Sequence, residues 1–398
     1  MSTELSRTRR EARLAYATTA VGISAVSLIA PVLPELAEVY GVSLGEVASI
    51  QVAVLVPGII SARWLLGRGA DGGLRRMLGF ALVGYGLTGA ALLWLTSFPA
   101  VLGVRVVQGF FCGGLVAGAF ALLSNGDGQS QPRIARNAAL VCVMMAIQPL
   151  LGSALSLLGP RGPFGFYLVA VPLGMLMFVD VPHSVPATTT DETPADGSRP
   201  RATAGEALTI TVVINALLFG WLLYFGPVHL AAEYEVGVSI RGVVLAGQAA
   251  LGATLALSIV GLLRRHRERL LLYVGLLVPL VGLVIVTFSP ALVLTVTGFL
   301  LVGVTYGVAN PAAVSLLAQK GRRATGSWQS SARVGQVVGP ALAGWLVART
   351  GTTEILLVGL AIGLIGIARL AAGDLARARR EQHPRPAPAP SDNPSRSS

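Results

Sequence analysis

The chain alternates apolar runs of about 18 residues or more with short polar punctuation, the pattern of a polytopic helical membrane protein. Twelve runs are read: 14–34, 45–66, 76–96, 99–123, 134–158, 164–181, 207–228, 239–263, 269–288, 291–318, 325–348 and 353–372. At about 20 residues per crossing they consume most of the chain, leaving short loops and no room for a soluble domain. The longest interior break, 182–205, is polar, rich in proline and threonine and without periodicity, which predicts a flexible linker. The expected organisation is a cytoplasmic N-terminus (1–13), a six-helix bundle (14–181), the linker (182–205), a second six-helix bundle (206–373) and a disordered cytoplasmic tail (374–398).

Punctuation repeats across the linker. Pro34 and Pro227 stand 193 positions apart, while Pro99 and Pro290, and Pro149 and Pro340, each stand 191 apart. Arg75–Arg76 falls near Arg267 and Arg133 near Arg323 on the same offset. Five coincidences in register argue for a duplicated six-helix unit, with a site at the interface of two parallel halves. The predicted fold class is therefore all-α, with twelve transmembrane helices in two pseudo-symmetric six-helix bundles.

Composition agrees with this reading. Residues are 53% hydrophobic and 12% charged, and 48 glycines suit helices that pack through small residues. A net charge of +11 raises the question of nucleic acid, but the cations recur at every second loop rather than on one face. That is the positive-inside pattern; it places both termini in the cytoplasm and argues against a nucleic-acid partner. The N-terminal arginines lead straight into a full-length span, with no cleavable signal expected. Cys112 and Cys142 fall in predicted spans as small hydrophobes, and no disulfide or metal framework is visible. His183, His229, His266 and His383 are expected in loops. No phosphate loop is present, so ATP-driven pumping and enzymatic activity are not expected, and no cofactor is implied beyond a proton gradient as energy source.

The chemistry concentrates in 102–118, an apolar run carrying Arg105 with Gln108 one turn later and glycines at 109, 113, 114 and 118. A guanidinium at mid-membrane costs about 2.5–3.5 kcal/mol on insertion scales, so it is retained where it faces a bundle interior or cavity. Between the second and third runs stand Gly67, Asp71, Arg75 and Arg76, an acid with nearby arginines that suits a charge-assisted latch between helices. The fifth run holds Gln148, Pro149 and Gly152, and its repeat partner holds Gly335, Gly339, Pro340 and Gly344, where proline interrupts the ladder and glycine permits close packing. Other polar or aromatic residues inside spans are candidates for lining a cavity: Gln51, Asn215, Tyr224, Gln248, Tyr306, Asn310, Arg333 and Gln336, with Trp221, Trp328 and Gln329 beside them. No carboxylate lies inside a span on this reading; Asp180, Glu206 and Glu354 sit at helix ends and Glu46 starts the second run.

These motifs resemble the major facilitator superfamily. The Gly67–Arg76 loop is similar to the family's Gly-x-x-x-Asp cytoplasmic signature, departing from it at Gly72 and Leu74. The helix with Arg105, Gln108 and Gly109 resembles the fourth helix of proton-coupled members, where the arginine takes part in coupling. Gln148-Pro149 and Gly152 resemble the fifth-helix bend of drug/proton antiporters, with glutamine in place of the first glycine. The resemblance implies a cytoplasmic-membrane secondary transporter that exports a hydrophobic or amphiphilic small molecule, a drug or secondary metabolite, by antiport. An importer or facilitator of a metabolite stands as the alternative, and a non-transporting sensor as a remote one. The partners expected are a small-molecule cargo and the lipid bilayer, with the chain acting as a monomer.

Overall fold

The computed structural model describes residues 2–69, 73–124, 130–179, 201–259, 267–318 and 322–382. Its regular structure among these residues is helix, joined by short turns. Helical segments follow in order: α1 (Arg10–Tyr40), α2 (Leu44–Ser61), α3 (Leu74–Ala91), α4 (Phe98–Leu123), α5 (Ala139–Leu158), α6 (Gly162–Phe178), α7 (Gly205–Tyr234), α8 (Val238–Ser258), α9 (Glu268–Phe288), α10 (Leu292–Leu316), α11 (Arg322–Val347) and α12 (Thr352–Ala376). Among the described residues nine have the length and apolar composition to cross a membrane. The other three are α3, α6 and α11: α6 is short, while Gly-rich α3 and α11, with Arg333 and Gln336, trade apolar surface for close packing and polarity.

Each half is built on glycine crossings that bring backbones together without a hydrophobic driving force between helices. In the N-terminal half, Gly109 of α4 lies on the Val54 carbonyl of α2, and Gly113 on Gly58. In the C-terminal half the corresponding crossing, α8 on α10, uses Gly252 against Gly307. α5 sits on α1 with Gly152 over the Leu28 carbonyl, and α11 sits on α7 with Gly339 over Ala216 and Gly220. At these positions any Cβ would overlap backbone, which explains the glycines of the two bend motifs more directly than a kink does.

Four boundaries differ from the sequence reading. α1 runs past Pro34 to Tyr40 and α7 past Pro227 to Tyr234, because Pro31, Pro34 and Pro227 occupy the first turns of new helical segments. There a missing N–H costs nothing, so these prolines restart a helix rather than end it. Helix also begins at Arg201, inside the expected linker, and continues from Thr352 to Gln382, so the first part of the expected disordered tail is helical. That extension is rich in alanine and arginine, good helix formers, and Asp374 within it pairs with Arg269. The rest of the linker and tail, 180–200 and 383–398, lies outside the described residues.

The halves meet along α5 against α8, α2 against α11, and the end of α1 against the end of α7.

Candidate functional site

Arg105 is fully buried inside the N-terminal half. Its Nη1 donates to the Gln108 side-chain oxygen (2.9 Å), the Ala25 carbonyl (3.3 Å) and the Tyr167 hydroxyl (3.4 Å). The guanidinium carbon also lies 5.2 Å from the Phe164 ring centroid and 5.7 Å from that of Tyr167. Nε and Nη2 have no partner. Tyr167 continues the network through the Ser24 carbonyl, and Ser24 bonds the Tyr85 hydroxyl at 3.0 Å. Gln108 is also fully buried, against Gly89 of α3. The direct hydrogen-bond and ring contacts of the Arg105 and Gln108 side chains stay within α1, α3, α4 and α6, so the pair stands inside one bundle rather than on the seam between the two.

The seam carries other side chains. Arg241 of α8, 1% exposed, forms an ion pair with Glu35 of α1, 27% exposed. The Tyr224 hydroxyl donates to the Leu44 carbonyl (2.5 Å), Gln51 Nε2 to the Leu223 carbonyl (3.4 Å), and Ser153 Oγ to the Val238 carbonyl (3.0 Å). Gly45 packs on Gly344 and Ala348, and Gly242 on Pro149 and Ser153. Among the described residues, every hydrogen bond between halves lies at the end of the molecule reached by α1, α2, α5, α7, α8 and α11 away from the chain termini. Tyr224 and Gln51, expected in a cavity, are therefore fastenings of this closed end.

Two cavity candidates do line space. A narrow cleft opens where α5 meets α7, α8 and α10, bordered by Cys142, Met145, Leu218, Gln248, Gly303 and Tyr306. Leu218 and Tyr306 project from the wide π-helical turns Leu217–Phe225 and Thr305–Ala309, a local geometry that recurs at functional sites. A third group of candidates forms a relay on α7 and α11. Arg333 Nη1 donates to Gln336 Oε1 (3.4 Å), Gln336 Nε2 to Asn215 Oδ1 (3.3 Å), and Asn215 Nδ2 to the Thr211 carbonyl (2.9 Å). Asn310 follows the second π turn with its Oδ1 buried and unpartnered.

Of the loop signature, Gly67 lies in the helix Ser49–Gly69, and Asp71 lies outside the described residues. Arg75 donates to the Val179 (2.6 Å) and Leu176 (3.4 Å) carbonyls, tying the start of α3 to the C-terminal end of α6, where a cation is favoured. Arg76 is exposed. Pro149 accepts Ser153 Oγ at 2.9 Å, and Pro340 sits inside unbroken α11. Gln148, standing where a glycine was expected, donates to the Ala20 carbonyl (2.7 Å) and bonds Ser27, fastening α5 to α1.

The sequence reading missed three groups. Glu35 and His229 were expected just outside the apolar runs and Arg241 falls at the start of one without being singled out; all lie in helices. His229 is 5% exposed, stacked on Phe225 (5.3 Å between centroids) with Tyr234 and Phe299 edge-on, and neither ring nitrogen has a partner. Recognising that Pro34 and Pro227 open helices would have found all but Arg241. Among the described residues no group of three metal-ligating side chains converges.

Two six-helix halves that enclose buried polar side chains form a known architecture. The family model for the Major Facilitator Superfamily matches residues 15–323, more than half of the chain. The chain belongs to the Major Facilitator Superfamily. It is a multi-pass membrane transporter and not an enzyme. No curated protein sequence matches it. Among solved structures the fold is similar to a D-xylose–proton symporter (TM-score 0.74, 14% identity, covering 90% of this chain and 96% of that one). It is also similar to a bacterial homolog of the human lysosomal transporter Spinster, described as inward-facing and occupied (0.72, 16%, 96% and 99%). A third is the human organic anion transporter MFSD10 (0.66, 17%, 91% and 99%). At such identities these likenesses concern the fold of this superfamily member alone.

Proposed function

We propose that this transporter exports a small neutral or anionic amphiphile across the cytoplasmic membrane in exchange for protons, with both termini in the cytoplasm. One observation carries the cargo class. Among the described residues the half-buried Arg333 guanidinium stands on a neutral relay through Gln336 to Asn215, and no carboxylate pairs with it. A cation near it would meet a like charge in a low-dielectric surrounding, whereas an anion or a neutral acceptor gains from it. With the termini inside the cell, the fastened end faces outward.

Gln148 favours a second reading. Where drug antiporters carry a glycine, this side chain is committed to fastening α5 to α1, which suits a carrier that takes up or equilibrates a metabolite. Accumulation of a compound panel by cells with and without the gene, before and after collapse of the proton gradient, separates the two. Under the export reading, cells lacking the protein accumulate more cargo and collapse of the gradient abolishes the difference. Lower accumulation in those cells establishes uptake, and movement of cations alone overturns the cargo class.

A further inference from the structure

We propose that His229 is a proton sensor for the fastened end: on taking up a proton from the outer side it loosens the last turns of α7 and lets the halves part there. This rests on the proton-exchange reading above for the side that supplies the proton.

His229 is 5% exposed, and neither Nδ1 nor Nε2 has a hydrogen-bond partner. Its ring is stacked on Phe225 and closed in edge-on by Tyr234 and by Phe299 of α10. An imidazole carries one donor and one acceptor when neutral and two donors when charged. A residue that only packs here needs neither, and phenylalanine would fill the same box at no polar cost. Ring faces attract a cation, but they replace neither of the hydrogen bonds that an imidazolium donates in water. The closed arrangement therefore suits the neutral ring.

The surrounding titratable and charged groups are committed elsewhere. On α7 itself, Glu233 is exposed and accepts from Thr352 Oγ1 of α12 (3.0 Å), and Glu235 is exposed. The Tyr234 hydroxyl bonds Thr295 Oγ1 (2.8 Å) and the Ser289 carbonyl (3.2 Å). α10 brings Phe299 and has no charged residue between Leu292 and Leu316. The end of α1 brings Glu35, paired with Arg241 of α8, and the exposed Glu38. Glu354 of α12 is exposed.

The place of the ring converts a local charge into movement at the seam. His229 and Tyr234 hold the turns Gly226–Tyr234 on α10, and the same turns pack on the end of α1 in the other half. Tyr224, just before them, bonds the Leu44 carbonyl across the seam. A charged ring reaches water only if these turns shift, and their contact with α1 is part of what closes this end.

Magnitudes single out the histidine. In water a histidine is half-protonated near pH 6.5 and a glutamate near pH 4.3. With the proton excluded from the closed box and the ring wetted on opening, lowering the pH to 5 raises the open-to-closed ratio by up to about thirtyfold. A glutamate released into water by the same opening, as Glu35 would be, adds less than about twofold at that pH.

The test is double electron–electron resonance on the purified full chain in lipid nanodiscs, without cargo or gradient. Nitroxides are placed on Val39→Cys of α1 and Ser239→Cys of α8, both exposed, with Cys112 and Cys142 replaced by alanine. Between pH 8 and pH 5 the long-distance component of an opened end grows against the short one by about ten- to thirtyfold. His229→Phe, which keeps the ring packing, and His229→Gln both hold the pH 8 distribution at pH 5, whereas Glu233→Gln keeps the response. An unchanging wild-type distribution, a response that survives either His229 variant, or one lost with Glu233→Gln overturns the proposal. The distances are read without transport. A protein that shows the response but moves cargo without protons refutes the exchange reading alone, and one that exchanges protons with no such response refutes the sensor alone.

Discussion

Glu35→Gln removes one charge from the ion pair that joins α1 to α8 at the fastened end. Arg241, at 1% exposure, is left buried without its counter-ion. Breaking a buried pair from one side costs about 3–5 kcal/mol. Glu35 is 27% exposed and partly screened, so the lower bound applies, and opening of this end solvates Arg241 and recovers most of that cost. A shift of about 3 kcal/mol moves the closed-to-open ratio by roughly two orders of magnitude. Ser153, 4% exposed and bonded to Val238 across the seam, supplies the reporter. In a background with Cys112 and Cys142 replaced by alanine, Ser153→Cys is labelled by a membrane-impermeant maleimide at a rate set by the open population. Glu35→Gln should raise that rate by roughly a hundredfold. The double change Glu35→Leu with Arg241→Leu should return it to near the starting value, because an apolar pair of similar volume carries no uncompensated charge. Unchanged labelling in folded Glu35→Gln protein would refute the reasoning, since the end would then be held by the glycine contacts and neutral hydrogen bonds alone.

Three further outcomes are expected. Arg105→Ala abolishes transport while the protein still inserts, because Tyr167, Gln108 and the Ala25 carbonyl lose their common donor; transport by proteoliposomes alongside expression measures it. Gly152→Ala drives a Cβ into the Leu28 carbonyl and lowers stability by about 1–3 kcal/mol, the cost of overpacking, read as a fall in melting temperature in detergent. Asp71→Asn slows turnover more than it weakens cargo binding, so that kcat falls while binding affinity holds; equal affinity and equal turnover would remove the loop from the transport cycle.

The fold was legible because bilayer physics leaves few options. Apolar runs of helical length and the recurrence of Pro99/Pro290 and Pro149/Pro340 were enough to reach two six-helix halves. Helix ends were not legible at proline. Pro34 and Pro227 read as terminators, yet proline in the first turn opens a helix, and that ambiguity hid Glu35 and His229 inside α1 and α7. The site was legible in kind and not in place. A polar residue in an apolar run announces that it needs a partner, but its face depends on packing: Gln51 and Tyr224 bond backbone across the seam, while Gln248 and Tyr306 border open space. The π turns that aim Leu218 and Tyr306 have no one-residue signature, so nothing in the sequence separated these two pairs.

The duplication also shows where the two halves diverge. Gln148 and Gly339 are repeat partners, as are Ser24 and Asn215, each 191 positions apart. In the N-terminal half, Gln148 bonds Ala20 and Ser27, and Ser24 joins a set of hydroxyls that includes Tyr85 and Tyr167 beside Arg105. In the C-terminal half the amide is exchanged for Gly339, and α7 comes onto α11 by backbone contact. Asn215 then reaches Gln336 and, through it, Arg333. Among the described residues the π-helical turns also belong to this half alone. A π turn widens the ladder and redirects side chains at a cost that a satisfied bundle has no reason to carry. The N-terminal half thus encloses a buried cation among its own rings and carbonyls, while the C-terminal half carries the wide turns that aim Leu218 and Tyr306 at the narrow cleft.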